Sequence, residues 1–441
     1  MKKKVLSVIV SACAAVGVFA LSSCASAGKS TRLGAPAAAT PLSYQERQDE
    51  GLNALRTGAE NFASKFAAET FKATDDGKNF AVAPISVYMA LSVASECANG
   101  QTREEILNGL NVEYSALKNN FSKLYRSLIA ENRSNTGDLE GRLNLTNSIW
   151  LNSGWGDLGV KSNCINSLAD NYYCHSYSAD FMYDNGAANR ALQDFIKKQT
   201  YGLIDKNFEI SNESTFVLLN TLYLKDIWND YGKDLSLTDE NYQFTERDGD
   251  IKVGKLLQGY YSTGRAYEEQ TFTHFYTKTL NGYKIKFILP KDGYTVKDVF
   301  TQENIARVNA LTDYNAVDEE NLLRYHTRCL FPQFSASFDK DVKSVLAESF
   351  GIRSMFNADE CDFSSVASMP SYCSKVRHVT KLNVDKKGIE GAAVTAMSMD
   401  GAPGPDEYRD VYEDFVVDRA FGFILTDRYG TTVFSGVVNN I

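Results

Sequence analysis

Between residues 375 and 385 apolar and polar positions alternate: Val376, His378, Thr380, Leu382 and Val384 share one face, and Lys375, Arg377, Lys381, Asn383 and Asp385 the other. A period of two belongs to an extended strand with one wet face, so this segment is predicted to be half-buried β. Two aromatic and β-branched runs fill 421–438 on either side of Asp427, Arg428, Tyr429 and Gly430, which predicts a hairpin. Helical spacing marks other stretches. Phe62 and Phe66 stand four apart among alanines, Thr102 and Glu105 have the spacing of a capping box ahead of Ile106 and Leu107, and Val342, Val345, Leu346 and Phe350 form one face ending at Gly351. Helices early and strands late predict a single α+β domain over 48–441.

The first residues follow a different pattern. Lys2, Lys3 and Lys4 precede an apolar run from Val5 to Leu21 and then small residues, the order of an export signal, and no second apolar run of 18 follows. Leu21, Ser22, Ser23 and Cys24 resemble the bacterial lipobox, so 1–23 is expected to be a lipoprotein signal peptide and Cys24 the lipidated first residue. A plain signal peptide with an incidental cysteine is the alternative. Residues 24–47, rich in Ala, Gly, Ser, Thr and Pro, are predicted to be a flexible tether. The expected location is the bacterial cell envelope, on the outer membrane, facing either the periplasm or the exterior.

Composition narrows the function. The 441 residues are 44% apolar and 23% charged, with 46 basic against 55 acidic residues and a net charge of −9. Without residues 1–23 the balance is 43 − 55 = −12. Such a chain lacks the basic surface that nucleic acid needs, and its membrane contact should come from the lipid rather than from charge. With four histidines and no C-x-x-C pair, no metal or other cofactor is expected. Of the usual enzyme motifs, the nearest approach is Gly259 to Gly264 followed by Arg265, which lacks the lysine and hydroxyl of a phosphate loop. Six cysteines remain after export. They admit 15 pairings, with Cys164–Cys174 and Cys361–Cys373 the sequence-near pairs, or stay as buried thiols.

Residues 388–414, GIEGAAVTAMSMDGAPGPDEYRDVYED, lie between two predicted strands, and a loop this long inside a compact domain is normally functional. The stretch VDKKGIEGAAVTA at 384–396 resembles the hinge of a serpin reactive-centre loop. The same family appears in NFAVAPISVYMAL at 79–91, NGQTREEIL at 99–107, LLNTLYLKDIW at 218–228, FPQF at 331–334, ADECDFSS at 358–365 and VFSGVV at 433–438. The resemblance covers essentially the whole domain.

It implies a serpin fold of three β-sheets and about nine helices with an exposed bait loop, and a monomer that inhibits proteases rather than an enzyme. A target serine or cysteine endopeptidase would cut the loop and be held as an acyl-enzyme while the freed arm inserts into the large sheet. Serpin loop insertion is itself a familiar instance of strand addition. A dozen new hydrogen bonds at about 1 kcal/mol each, with burial of one face, give roughly 10–20 kcal/mol, enough to distort a protease held by about 5–15 kcal/mol. The alternative is a non-inhibitory serpin acting as a binding protein or decoy substrate.

The resemblance assigns the hinge to Gly388, Ile389, Glu390, Gly391, Ala392, Ala393, Val394 and Thr395. By alternation Ile389, Gly391, Ala393 and Thr395 would face the core after insertion. Ile389 departs from the smaller residue usual there. Family spacing sets the bond near Ala402, but Pro403 would follow the cut, so Met399, Asp400, Gly401, Ala402 and Pro403 form the candidate reactive region. Tyr408 and Arg409 have bait chemistry but leave too long an arm. Ser86, Asn220 and His378 match positions that hold the sheet where it must part, and Trp228 matches the tryptophan near the top of the insertion site. Ala83 replaces a serine usual before Pro84.

Overall fold

The structure, a computed structural model, describes residues 29–134, 137–205, 209–228, 234–311, 314, 316–373, 376–390 and 408–441. Three multi-stranded sheets of eight, five and six strands, a separate two-stranded ribbon, and ten α-helices make up the described residues. None of these helices is long and apolar enough to cross a membrane.

The eight-stranded sheet runs Thr31–Gly34, Cys174–Ala179, Leu139–Asn152, Phe216–Ile227, Gly388–Ile389, Arg377–Asp385, Phe334–Asp341, with Ala130–Arg133 beside Leu139–Asn152. The alternation seen in sequence is realised: His378, Thr380, Leu382 and Val384 are buried against the helices beneath. Those helices are Glu50–Thr74, where Phe62 stacks on Phe66 at 5.5 Å, and Pro84–Cys97, which is buried along nearly its whole length. Phe421–Thr426 and Thr432–Val438 pair as the expected hairpin in the six-stranded sheet. Its Asp427 carboxylate accepts the Tyr429 and Thr431 N–H groups, each at 2.8 Å. Helix Lys343–Ser349 ends as predicted before Gly351, whose φ of +72° is left-handed.

Two expectations change and one open alternative is settled. Helix Gly100–Leu110 begins two residues before Thr102, so Thr102 and Glu105 are not a capping box. They bind the loop that crosses the helix instead: Thr102 Oγ1 accepts the Asp362 N–H at 2.9 Å and Glu105 Oε2 the Arg353 and Ser354 N–H groups. Among the described residues no disulfide joins the six cysteines, which selects the thiol alternative: Cys97, Cys164, Cys174 and Cys329 are buried, with Cys164 against the Glu96 carbonyl, and Cys361 lies against that of Ser371. The predicted tether is structured from Thr31: it pairs with the edge strand Cys174–Ala179, and Ser43 caps the short helix Tyr44–Arg47. An open sheet edge offers ladder partners, and the Arg126 guanidinium holds the Thr40 and Pro41 carbonyls, so few large apolar residues are needed there.

Candidate functional site

Among the described residues, no ladder joins the two halves of the large sheet directly. Phe216–Ile227 bounds one half and Arg377–Asp385 the other, and among the described residues the strand between them is the two-residue Gly388–Ile389. Gly388 pairs with Ile227 and Asp385, and Ile389 with Asp226 and Val384, so the hinge already joins the sheet at one end of the gap. Glycine is required at its first position: φ is +151°, and a Cβ would lie 2.1 Å from the Asp226 carbonyl oxygen. Ile389 is fully buried. Glu390 follows with a left-handed φ of +50°, its carboxyl raised above the usual range by burial, against the pull of the Tyr223 hydroxyl and of Lys225 and Lys381.

Two groups fix this end. Trp228, fully buried, donates its indole N–H to the Asp385 carbonyl at 2.7 Å and so links the two halves. Asp226 is a buried carboxyl held by the Thr279 hydroxyl, the Asn281 side-chain amide at 2.5 Å and the Ile227 N–H at 3.1 Å. Burial pushes it up to about 7, although these hydrogen bonds oppose the shift.

Midway down the gap the ties run through a third body, the first turn of helix Pro84–Cys97. Ser86 donates to the Asn220 side chain, Asn220 to Asn147 Oδ1 at 2.6 Å, and Asn147 to the Tyr172 carbonyl at 3.0 Å. On the other half, His378 Nε2 accepts the Ala83 N–H at 3.1 Å, and the Thr380 hydroxyl donates to the Ala81 carbonyl. Burial between Phe66 and Phe338 holds His378 down to about 3, keeping its ring neutral and able to accept. That bond also accounts for Ala83, which has no capping hydroxyl: the histidine of the neighbouring strand serves the helix end. Among the described residues the two strand edges thus face each other with a two-residue strand at one end and a few neutral hydrogen bonds to the helix between them, and unpaired strand edges offer ladder partners.

A family model described as Serpin (serine protease inhibitor) matches residues 57–441. The chain belongs to the serpin family. This serpin is similar to corticosteroid-binding globulin of Ovis aries, 26% identical over 380 residues that cover 83% of this chain and 81% of that protein. It is similar also to alpha-1-antiproteinase of Rattus norvegicus, 24% identical over 371 residues covering 80% and 82%. The native thermophilic serpin tengpin shares the fold with a TM-score of 0.68 at 21% identity over 94% of this chain and 100% of that one. So does thyroxine-binding globulin in complex with thyroxine, with a TM-score of 0.69 at 20% identity over 87% and 98%. Serpins are mainly protease inhibitors and not enzymes, but the family also holds these binding globulins.

Ser86 and Asn220 meet, and His378 binds the same helix end from the opposite half. Gly388, Ile389, Glu390 and Trp228 gather at the hinge. Gly391 to Thr395, Met399 to Pro403 and Cys24 lie outside the described residues. Arg409, considered a bait residue of the loop, starts the strand Arg409–Val416 and pairs with Leu323, and the Arg324 guanidinium lies over the Tyr408 ring at 5.9 Å. Backbone already held in a sheet is poor protease bait. Sequence reasoning missed Asn147 and Asp226. For Asp226 a signal existed, an acidic residue near the end of the apolar run LLNTLYLKDIW.

Proposed function

We propose that this serpin inhibits serine endopeptidases, and cysteine endopeptidases of like bait preference, as a suicide substrate whose cleaved loop inserts between Phe216–Ile227 and Arg377–Asp385. The observation that carries the reading is the register of the hinge. Ile389 opposes Asp226 on one side and Val384 on the other. Continued residue by residue, that register would set Gly391 between Leu224 and Leu382, Ala393 between Leu222 and Thr380, and Thr395 between Asn220 and His378. The small residues would thus fall on the inward row, whose walls are largely buried side chains. The last of them would arrive where the sheet is pinned.

The same register supports the reactive region. The first residue of Phe216–Ile227 lies 226 − 216 = 10 positions from Asp226, and 389 + 10 = 399. An arm ending between Met399 and Pro403 would therefore fill the slot and leave little slack. A cut after Tyr408 would leave 408 − 399 = 9 residues beyond the slot, about 30 Å of slack at ~3.3 Å each, and an attached protease would feel no pull. Ile389 ceases to be an objection, since the slot end already accommodates it without exposure.

The molecule would be exported and anchored to the bacterial cell envelope through lipidated Cys24. The likeness to corticosteroid-binding globulin and the Pro403 that follows Ala402 favour a second reading, a non-inhibitory binding protein or decoy substrate. Incubation of residues 29–441 with elastase-, trypsin-, chymotrypsin-, subtilisin- and papain-like proteases separates the two. A denaturant-resistant adduct with a cut between Met399 and Pro403 is expected; clean cleavage with every protease and no adduct selects the second reading.

A further inference from the structure

The end of the large sheet farthest from the hinge is where the chain leaves towards Cys24. Thr31 pairs with Ser178, Ser178 with Leu151, and Leu151 with Phe216, so these four form one row across the sheet. Gly141, Asp226 and Ile389 form the matching row at the hinge, 226 − 216 = 10 residues along the strand, which at ~3.3 Å per residue is about 33 Å away.

Past the first row, strands Leu139–Asn152 and Cys174–Ala179 run into two turns packed on each other. The Phe181 N–H donates to Asn152 Oδ1 at 2.9 Å, and a Cβ on Gly154 would come within 2.5 Å of both Asp180 Oδ1 and Met182 Cβ. From these turns Trp155 and Tyr183 project 38% and 80% exposed, and Lys29 reaches Asp184 beside them at 3.2 Å. Leu33 and Val160, also exposed, line one depression of about 430 Å³ together with Ile165. Scattered exposed apolar groups need no explanation. Here two rings and two aliphatic side chains gather where the N-terminal segment departs, and the 29 − 24 = 5 peptide steps from Lys29 to Cys24 span at most about 18 Å.

We propose that this end of the molecule lies against the lipid bilayer, with Trp155 and Tyr183 seated among the headgroups, an inference that rests on the reading of Cys24 as lipidated. Indole and phenol rings suit that zone because one end is apolar and the other hydrogen-bonds. Eighteen ångströms of chain cannot hold a domain clear of the surface, and strand pairing of Thr31–Gly34 shortens a tether that composition alone made longer. Since the chain after Cys24 is acidic overall, contact would come from the rings and the lipid, not from attraction to anionic headgroups. The hinge, and the loop that follows it, would then face the aqueous side, where proteases arrive.

Fluorescence tests this directly, because Trp150 and Trp228 are buried and Trp155 is the exposed indole of the three. The full-length protein purified from the membranes of its bacterial host is reconstituted in phosphatidylcholine vesicles with brominated acyl chains. Flotation and the mass of the N-terminal peptide report the anchor. Trp155 emission, taken as the difference between the wild type and Trp155→Phe, should fall below its value in vesicles without bromine, because rings of this kind sit at the headgroup level. Insertion of a 20-residue Gly-Ser spacer after residue 28 should abolish most of the quenching while flotation persists. Flotation with unquenched Trp155 overturns the apposed surface and leaves the anchor standing; absence of lipid on Cys24 overturns both.

Discussion

The gap in the large sheet is held differently in its middle and at its hinge end. In the middle, among the described residues, the ties run to a third body: Asn220 on one side and His378 on the other are each fastened to the start of helix Pro84–Cys97. The fastenings are neutral hydroxyl, amide and imidazole groups, each tie worth only about 1 kcal/mol net. At the hinge end the halves are joined through the chain itself, by Gly388–Ile389 and by the Trp228 indole on Asp385. Under the proposed insertion, one region would be undone and the other would start what replaces it. Strand addition needs both, since a slot without a seed pays the full entropy of starting a ladder, and a seed without a breakable gap leads nowhere.

The comparison breaks most sharply at Ala393. Ala393→Arg would bring a guanidinium between Leu222 and Thr380, where an unpaired buried charge costs several kcal/mol. Cleavage should continue while adduct vanishes on denaturing gels, and wild-type adduct yield would contradict insertion by this register. Next comes the seed. Gly388→Val forces a side chain onto the Asp226 carbonyl and should cost about 3 kcal/mol or more, seen as a lowered melting temperature and fast hydrogen exchange at Glu390, whose N–H is held by Asn383 at 3.1 Å. Asn220→Ala strands the Asn147 carbonyl oxygen and the Ser86 hydroxyl, costing roughly 1–3 kcal/mol. It should speed spontaneous loss of inhibitory activity on warming, whereas Asn281→Ala, at the other end, should leave that rate nearer wild type.

The test that separates the regions by sign is pH. His378, held down to about 3, takes a proton in the unfolded chain from about pH 6.5 downward but not in the folded one, so its contribution to stability is lost as pH falls from 6.5 towards 3. Asp226, pushed up to about 7 from an ordinary 3.8, keeps a proton when folded that the unfolded chain releases, so stability is lost as pH rises across that window. Denaturant titrations from pH 4 to 8 should therefore show His378→Gln and Asp226→Asn removing slopes of opposite sign, each at most about 1.4 kcal/mol per pH unit. Slopes of the same sign would refute the assignment.

Much of this was legible in the chain. Alternation over 375–385 placed His378, Leu382 and Val384 inward, and the glycine and small residues after Lys387 marked the hinge. What was hidden depended on partners distant in sequence. Thr102 and Glu105 have the spacing of a capping box, yet their hydrogen bonds go to residues 353, 354 and 362, which no local pattern reveals. Thr31–Gly34 has a linker's composition, and only the open edge beside Ser176 and Ser178 makes it a strand. Asp226 in an apolar run could not be told from a solvated end until Thr279 and Asn281 were seen around it.

The central claim is that cutting the loop lets its arm complete the large sheet. The direct measurement is the melting temperature of residues 29–441 before and after a single cut between Met399 and Pro403, with the fragments left together. A dozen added ladder bonds at about 1 kcal/mol each predict a rise of tens of degrees in the cleaved molecule. An unchanged or lowered melting temperature would mean that the arm stays out, and the account of this gap as an insertion slot would be wrong.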